Sequence, residues 1–348
     1  MTLSDFHFDL PSELIAQVPA ERRDQARLLV LDRLSGARTH AQVDALPNHL
    51  RPGDLLVVND TKVIPARLFA RTASSGAVEV LLIRRTSERE TSMESWLCLG
   101  KPAKRLRAGT RLTFPEGVHA TIEAVHGNGQ YTIAFEGTST VQSLIQGHGE
   151  IPLPPYIRRP DGPLPLDQTR YQTVFASVPG AIAAPTAGLH FTEELMAAVC
   201  RRGAEIVRLT LHVGPGTFLP IRSQHVAEHL MMPEWCDIPV ATAARIRDVK
   251  AAGGRIVAVG TTTTRALESA ALEADIVASG PRWADCFITP GFRFRVVDAL
   301  FTNFHLPGST LLLLVSAFAG SERILRTYNE AIHDGYRFYS YGDAMLIQ

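Results

Sequence analysis

Apolar and polar residues alternate along six short stretches in the first half of the chain, a pattern typical of strands that bury one face. Turn-forming clusters such as Gly127-Asn128-Gly129 separate the stretches, and no convincing helical pattern lies between them. The predicted strands are residues 63–70, 77–84, 95–99, 110–114, 118–125 and 130–135. Short strands at this spacing predict a small antiparallel barrel or sandwich.

Beyond residue 167 the pattern changes to strands that alternate with helices, which indicates an α/β layer architecture. The predicted strands are residues 205–212, 255–260, 286–289 and 299–302. The predicted helices are residues 192–202, 241–252, 261–274, 309–319 and 322–333. Near the start of the chain, residues 27–31 and 55–58 have the composition of buried strands and can join the same sheet.

The β-rich stretch ends at a helical pattern over residues 139–146 and a Pro-rich run over residues 151–156. We therefore predict an α/β main domain, a mixed sheet with flanking helices, formed by residues 1–62 and 151–348. A small antiparallel β-barrel, residues 63–150, is then inserted into it as a second domain.

The chain carries 35 Lys and Arg against 35 Asp and Glu, and this formal charge of zero speaks against a histone-like nucleic-acid binder. The charges are unevenly placed, however, because residues 62–115 hold eleven cations and four acids, an excess of seven positive charges. Five of the cations occur in one run without an acid, at Lys101, Lys104, Arg105, Arg107 and Arg111. The run is either a solvated face or a set of phosphate contacts, and both interpretations stay open.

Composition excludes several classes of protein. With 45% hydrophobic residues the chain can bury a sizeable core, so it is not disordered. The opening residues lack the apolar segment of a signal peptide, and the most apolar stretch, residues 311–319, is too short to span a bilayer. The four cysteines form no C-x-x-C pair, which argues against a disulfide framework or a structural zinc site. We expect a soluble cytoplasmic protein.

The common cofactor and nucleophile motifs are missing. The sequence contains no P-loop, no G-x-G-x-x-G and no G-x-S-x-G, so neither a P-loop nucleotidase, a nicotinamide-binding domain nor a nucleophile-elbow hydrolase has support. His225 and His229 have the spacing of two metal ligands on one helix face, but Glu228 precedes the second histidine instead of following the first. We predict no metal site.

Five polar segments follow predicted strands or precede predicted helices. They are residues 58–62, 183–192, 211–218, 260–265 and 302–309. Because ligands of open α/β sheets bind outside the carboxyl ends of the strands, we expect these segments to converge on one site. His190, His212 and His305 lie in these glycine- and proline-rich loops rather than on an apolar stripe, which makes them candidates for chemistry.

Simpler interpretations exist for parts of these segments. Thr192 and Ser309 have the positions of helix N-caps. The run of residues 260–264 is either a hydroxyl-rich cap or an anion site at a helix N-terminus. Gly214-Pro215-Gly216 is either a tight turn or a cradle for a ligand.

A series of longer strings carries a family resemblance from end to end. They are NDTKVIPARL (59–68), IPLPPYI (151–157), RYQTVFA (170–176), APTAGLHFT (184–192), LHVG (211–214), GTT (260–262), TNFHLP (302–307) and SYGDAM (340–345). In this order they resemble the S-adenosylmethionine:tRNA ribosyltransferase-isomerase family, which forms epoxyqueuosine in queuosine biosynthesis.

The resemblance implies a cytoplasmic, metal-free enzyme with an α/β main domain and a small inserted barrel. It implies that S-adenosylmethionine is a ribosyl donor and that no cofactor is bound permanently. The acceptor is the aminomethyl group of 7-aminomethyl-7-deazaguanine at the wobble position of a tRNA, and adenine and methionine leave. We expect a monomer. The alternatives are an S-adenosylmethionine-dependent RNA methyltransferase and a non-enzymatic RNA-binding module.

The chemistry that the resemblance implies assigns roles to the polar loops. We expect His190 or His212 to be the general base, with Asp60 and Asn59 near the ribose or the acceptor. Thr261, Thr262 and Arg265 are expected to hold an anionic group at a helix start, and Asn303 with His305 to complete the pocket. Six further residues are expected to bind the donor: Thr186, Gly188, Gly214, Gly216, Thr217 and Gly260. The basic run at residues 101–111 is expected to contact tRNA.

One position departs from the family pattern. The family usually has His-x-Met-His-x-Glu where this chain has His229-Leu230-Met231-Met232-Pro233-Glu234. Met232 therefore stands in place of the second histidine, and no acid or base role is assigned to it.

Overall fold

The computed structural model describes residues 1–86, 94–136, 141–160, 162–218, 221, 223, 225–274 and 276–348, except for the side chains of Thr217 and Phe218. Its strands are β1 (Arg27–Leu31), β2 (Arg38–Gln42), β3 (Leu55–Asn59), β4 (Thr61–Val63), β5 (Arg67–Thr72), β6 (Ala77–Arg85), β7 (Glu94–Lys101), β8 (Arg111–Thr113), β9 (His119–Gly127), β10 (Gln130–Glu136), β11 (Val178–Ala181), β12 (Glu205–Leu211), β13 (Glu234–Ile238), β14 (Ile256–Val259), β15 (Gly280–Ala284), β16 (Ala299–Asn303) and β17 (Ala344–Ile347). Its α-helices are α1 (Val141–His148), α2 (Pro165–Arg170), α3 (Glu193–Arg201), α4 (Val240–Ala251), α5 (Thr261–Ala270), α6 (Thr310–Ala319) and α7 (Ser321–His333).

Nine strands form the main sheet, in the order β15-β13-β12-β3-β14-β16-β17-β1-β2. The four strands β12, β3, β14 and β16 run parallel, and antiparallel strands continue the sheet on both sides. The predicted mixed sheet is thus confirmed, as is the inclusion of residues 27–31 and 55–58 in it. Because the four parallel strands end at one edge, the loops that follow them lie next to one another.

The central strands are buried on both faces, as their unbroken apolar sequences predict. Leu55 and Val57 of β3 point into a core that α4 to α7 share. Leu56 and Val58, the alternate residues of β3, point into the core on the opposite face of the sheet, which α3 covers. Helices therefore flank the sheet on both sides.

The predicted barrel is confirmed as a closed, antiparallel structure with the strand order β10-β7-β6-β5-β8-β9. Alternate strand residues fill its interior, and Leu144 and Ile145 of α1 pack onto this core. The chain enters the barrel after β4, which pairs with β11, and leaves it through α1. The barrel strands lie within the predicted insertion of residues 63–150.

The edge of the main sheet near β15 differs from the sequence prediction. The predicted strand at residues 286–289 is wrong, and the strand here is β15, which pairs with β13. Residues 286–289 form a loop, in which side chains rather than a neighbouring strand bond the backbone of Cys286: its carbonyl accepts from Arg265 and its N–H donates to the Ser269 hydroxyl. None of the helices in the described ranges combines the length and apolar character that crossing a bilayer demands.

Candidate active site

A first cavity of about 380 Å³ opens beyond the carboxyl ends of β14 and β16. Six of the predicted donor-binding residues line it, namely Thr186, Gly260, Thr261, Thr262, Asn303 and His305. They come from three of the five polar segments, and a fourth segment adds Val213. Gly188 lies beside this cavity instead of lining it, where a Cβ would come within 2.7 Å of the Phe175 ring.

Two helices begin at the first cavity. Gly260 adopts φ +98°, a conformation that favours glycine, and turns the chain from β14 directly into α5, whose N-terminus no side chain caps. The first N–H groups of a helix have no partner within it, so those of α5 are available to a ligand. Ser309 precedes α6 and its hydroxyl accepts from the Leu312 N–H, which confirms that this residue is an N-cap; Thr192 caps α3 in the same way. The positive ends of α5 and α6 therefore favour an anionic group in this cavity.

Hydrogen bonds fix Asn303 at the wall of the first cavity. Its Oδ1 accepts from the Thr186 hydroxyl at 2.9 Å, and its Nδ2 donates to His190 Nε2 at 3.1 Å and to the Tyr339 carbonyl at 3.2 Å. His190 is buried, and this burial lowers its pKa to about 4. The imidazole is therefore neutral at neutral pH, and its Nε2 lone pair is already occupied.

His305 lines the first cavity, whereas His190 lies behind Asn303 and is not among the lining residues. Its Nε2 lies 3.0 Å from the Thr302 hydroxyl, and its backbone N–H donates to the Tyr328 hydroxyl. Burial lowers the pKa of His305 to about 3, so this ring is also neutral at neutral pH. Both histidines have hydrogen-bond partners within the protein.

Two tyrosines that sequence reasoning missed form an aromatic wall of the first cavity. The rings of Tyr156 and Tyr339 have centroids 4.1 Å apart, and the Tyr156 hydroxyl is 2.6 Å from Ser340 Oγ. Tyr339 has φ +72°, and its buried hydroxyl has no hydrogen-bond partner in the described part of the chain. Backbone strain and an unpartnered polar group at a cavity wall are features of ligand sites. The three tyrosines at 336, 339 and 341 in an irregular segment were the available sequence signal.

A second cavity, of about 630 Å³, lies between the barrel and the β12-β13-β15 edge of the main sheet. All three tryptophans of the chain line it, namely Trp96, Trp235 and Trp283. Gly214 and Gly216, which were predicted to bind the donor, line this cavity, as does His212. Val213 lines both cavities, so the two adjoin at this residue. Thr217 continues the turn after Gly216, and its side chain lies outside the described part of the structure.

His212 is held at the end of β12, where the two cavities meet. Its Nδ1 lies 2.8 Å from the Thr61 hydroxyl, and its ring stacks on Trp235 with centroids 4.9 Å apart and an angle of 19°. A Cβ at Gly180 would come within 2.5 Å of Nε2, so only glycine leaves room for the ring. Burial lowers the pKa of His212, and the negative charge of Asp60 partly opposes this shift.

Asp60 and Asn59 fix the strand ends around His212. The Asp60 carboxylate accepts hydrogen bonds from the hydroxyls of Ser177 at 2.8 Å and Thr210 at 2.7 Å. The Asn59 amide bonds to both backbone groups of Leu211, which ties β3 to β12. Neither Asn59 nor Asp60 is among the residues that line the two cavities.

Arg265, predicted to hold an anion at the start of α5, instead points to the edge of the sheet. Its guanidinium forms a buried ion pair with Glu234 and also donates to the carbonyls of Ala284 and Cys286. The other carboxylate oxygen of Glu234 accepts from the Gly214 N–H at 2.9 Å. The pair thus joins α5, β13 and the loop after β12.

The predicted tRNA-binding run is exposed on the barrel. Lys101 pairs with Glu79 at 3.2 Å, and Arg105 donates to the Ala77 carbonyl, while Lys104, Arg107 and Arg111 are exposed. These five residues are not among those that line the first or second cavity. Two other barrel cations, Arg84 and Arg85 at the end of β6, line the second cavity and were missed by the sequence prediction.

Comparison with known proteins decides the family. The model of a family described as queuosine biosynthesis protein matches residues 3–347. The chain belongs to this family. It is 55% identical over 348 residues to the S-adenosylmethionine:tRNA ribosyltransferase-isomerase of Citrifermentans bemidjiense, with 100% of both chains covered. It is 50% identical to the protein of that name from Gloeobacter violaceus, with 98% of this chain and 94% of the relative covered.

A solved structure is also similar over the whole chain. The S-adenosylmethionine tRNA ribosyltransferase of Thermotoga maritima is 36% identical, with 99% of this chain and 100% of that chain covered and a TM-score of 0.55. The resemblance inferred from the sequence is therefore confirmed at the level of the family.

Met232, the departure from the family pattern, lines the second cavity. Its side chain packs against Gly216, where a Cβ would come within 3.2 Å of Met232 Cβ. Gln130 of the barrel lies on the other side, with Nε2 at 4.0 Å from the Met232 sulfur. The residue thus contacts both the main domain and the barrel.

His225 and His229 do not share a helix face, because they flank a 3₁₀ turn, Val226–Glu228. The His229 ring packs edge-on against Phe287. Within the described ranges, one group places three potential metal-ligand atoms within 4.8 Å of one another, namely His40, Glu330 and Asp334 at the surface. Arg38 already pairs with Glu330 at 2.9 Å, so this group has a protein cation as its partner.

Proposed function

We propose that this chain is an S-adenosylmethionine:tRNA ribosyltransferase-isomerase. It transfers and isomerises the ribosyl group of S-adenosylmethionine onto the aminomethyl group of 7-aminomethyl-7-deazaguanine at the tRNA wobble position. The products are epoxyqueuosine-tRNA, adenine and methionine. The observation that carries this proposal is that two adjoining cavities, one at the N-termini of α5 and α6 and one facing the barrel, meet at Val213 beside the half-buried imidazole of His212.

S-adenosylmethionine occupies the first cavity in this proposal. A volume of about 380 Å³ is in the range of small-molecule sites. The methionine carboxylate is stabilised by the N-termini of α5 and α6, with the hydroxyls of Thr261 and Thr262 beside it. The aromatic wall of Tyr156 and Tyr339 suits the adenine ring.

His212 is the general base in this proposal. The sulfonium acidifies the adjacent ribose CH₂, and a neutral imidazole next to the donor cavity can remove a proton from it. The lowered pKa of His212 keeps the ring neutral, and the contact of Nδ1 with Thr61 leaves Nε2 as the reacting nitrogen. The Asp60 charge stabilises the imidazolium that forms. His190 is a positioning residue, because its Nε2 already accepts from Asn303.

The remaining features of the proposal concern partners and place. The substrates are S-adenosylmethionine and a tRNA that carries 7-aminomethyl-7-deazaguanine, and no cofactor is bound permanently. A monomer suffices, since residues of one chain line both cavities. The tRNA substrate requires a cytoplasmic enzyme.

Product analysis tests the proposal. The protein is incubated with S-adenosylmethionine and tRNA carrying 7-aminomethyl-7-deazaguanine, and the small molecules are separated by chromatography. We expect adenine and methionine in equal amounts and no S-adenosylhomocysteine. The same tRNA with guanine at the wobble position is the control and should give no adenine. Release of S-adenosylhomocysteine would support a methyltransferase instead.

A further inference from the structure

We propose that the second cavity binds the wobble nucleobase of the RNA in an unstacked form, on a platform of tryptophan rings, while Arg84 and Arg85 contact the neighbouring phosphates. This inference rests on the proposed function and extends it to the acceptor. Enzymes that act on a base within a nucleic acid take it out of the stack, and RNA-binding sites hold such bases on aromatic side chains. The platform is defined as Trp96, Trp235 and Trp283.

The aromatic groups form a continuous series from the general base to the barrel. His212 stacks on Trp235, and Trp235 lies directly opposite Trp283 across strands β13 and β15. The Arg84 guanidinium lies over the Trp283 ring at 5.6 Å from its centroid. Trp283 is 50% exposed, although a ring of this size gains from burial. An open aromatic face beside a cavity is therefore available to a flat ligand.

The charges of the second cavity favour RNA over an apolar peptide. Its charged lining residues are Arg84, Arg85 and Glu234. Because Glu234 forms a buried ion pair with Arg265, its charge is compensated within the protein, and Arg84, whose guanidinium lies over the Trp283 ring, gives the cavity positive character. A positive groove with aromatic rings is the usual site for single-stranded nucleic acid.

The position of the cavity brings a bound base to the reacting groups. A volume of about 630 Å³ holds a nucleotide, and the end of the cavity at His212 and Val213 adjoins the donor cavity. A base on the platform thus directs its aminomethyl group to the junction where the ribosyl group is transferred. The exposed basic run on the same barrel can contact more distant phosphates.

Tryptophan fluorescence reports on this cavity alone, because all three tryptophans of the chain line it. The probe is an anticodon stem-loop RNA with 7-aminomethyl-7-deazaguanine at the wobble position, added without S-adenosylmethionine. We expect the RNA to quench the tryptophan fluorescence, with saturation as its concentration rises.

Trp283→Ala should raise the KM for tRNA about 10-fold or more, since the loss of a base–aromatic stack weakens binding by such a factor. The KM for S-adenosylmethionine should stay unchanged. Trp283→Phe, which keeps a ring, should remain close to the wild type.

Two matched controls separate this effect from general damage. Phe69 is 45% exposed on the barrel away from the second cavity, so Phe69→Ala should not change the KM for tRNA. Arg84→Ala should raise the KM for tRNA. Arg111 is an exposed cation outside the cavity, so Arg111→Ala should raise the same KM less.

The outcomes distinguish the inference from the proposed function. In one outcome, the wild type releases adenine, Trp283→Ala and Arg84→Ala keep the wild-type KM for tRNA, and the stem-loop does not quench the tryptophan fluorescence. The inference is then overturned and the proposed function stands. If the stem-loop quenches the wild type and Trp283→Ala weakens its binding, but no adenine is ever released, the base-binding cavity stands and the proposed function is overturned.

Discussion

The two cavities differ in how their polar groups are satisfied. At the first cavity, His305 is buried and neutral, as is His190 behind Asn303, and both have hydrogen-bond partners within the protein. At the second, His212 is half-buried, and Trp283 presents an exposed ring. A wall of polar groups already hydrogen-bonded within the protein suits a small donor, and an exposed aromatic ring suits a macromolecular acceptor. The comparison supports His212 as the proposed base, because its ring lies where the two cavities adjoin and its Nδ1 contact with Thr61 leaves Nε2 for the proton.

The largest expected effect separates the histidines of the two cavities. His212→Ala should lower kcat by about 10²- to 10⁴-fold, as expected for loss of a general base, with little change in the KM for S-adenosylmethionine. His190→Ala removes one of the two acceptors of the Asn303 amide and should lower the free energy of unfolding by about 1–3 kcal/mol, with a much smaller fall in kcat. Adenine-release kinetics and urea denaturation measure the two effects. A larger loss of kcat in His190→Ala would reverse the assignment.

The second-largest expected effect is a loss of stability when the ion pair between Arg265 and Glu234, beside the second cavity, is broken. Arg265→Met removes the guanidinium that pairs with the buried Glu234 carboxylate and should lower the free energy of unfolding by about 3–5 kcal/mol. The double variant Arg265→Met, Glu234→Met should recover part of this loss, because no isolated charge remains. Urea denaturation of the two single variants and the double variant gives the coupling. If Arg265→Met is as stable as the wild type and only loses affinity for S-adenosylmethionine, Arg265 binds an anion, as the sequence predicted.

A third effect tests whether tRNA contact extends beyond the second cavity. The triple variant Lys104→Ala, Arg105→Ala, Arg107→Ala should weaken tRNA binding, with a dependence of log Kd on log salt that is shallower by about 2. The main-domain variant Arg201→Ala, Arg247→Ala, which removes exposed cations far from the barrel in sequence, is the control. An unchanged slope would make the basic run a solvated face.

The smallest effect is a shift in pH dependence. The base must be neutral to act, and burial lowers the pKa of His212, so kcat/KM should rise with pH through an apparent pKa below 6.5 and stay level above it. Asp60→Asn removes the charge that raises this pKa, so the rising limb should move to lower pH. Rates measured with saturating tRNA across this range, with circular dichroism as the control for folding, test the shift. A limb that moves to higher pH would contradict the proposed electrostatics.

The sequence predicted the barrel, the central sheet and the three loops of the first cavity well, because each depends on a local pattern. Alternation marks the barrel strands, unbroken apolar runs mark β3 and β14, and strand ends mark the loops. Once the strands are parallel, topology alone brings those loops together.

The second cavity was not predicted, because it depends on pairings between distant residues. Trp235 and Trp283 become neighbours only when β13 pairs with β15, and neither strand was recognised in the sequence. Arg265 was assigned to a ligand because Glu234, its partner, lies 31 residues away in an unrecognised strand. Tyr339 lacked any helical or strand pattern, so its place at the first cavity came only from the fold.

A crystal structure of the protein with S-adenosylmethionine bound would show whether donor and acceptor occupy separate cavities. We expect the ligand in the first cavity, with its carboxylate at the N-terminus of α5 and its adenine against Tyr339. The ribose should face Val213 and His212. A ligand that lies among the tryptophans of the second cavity would show that the donor site is assigned wrongly.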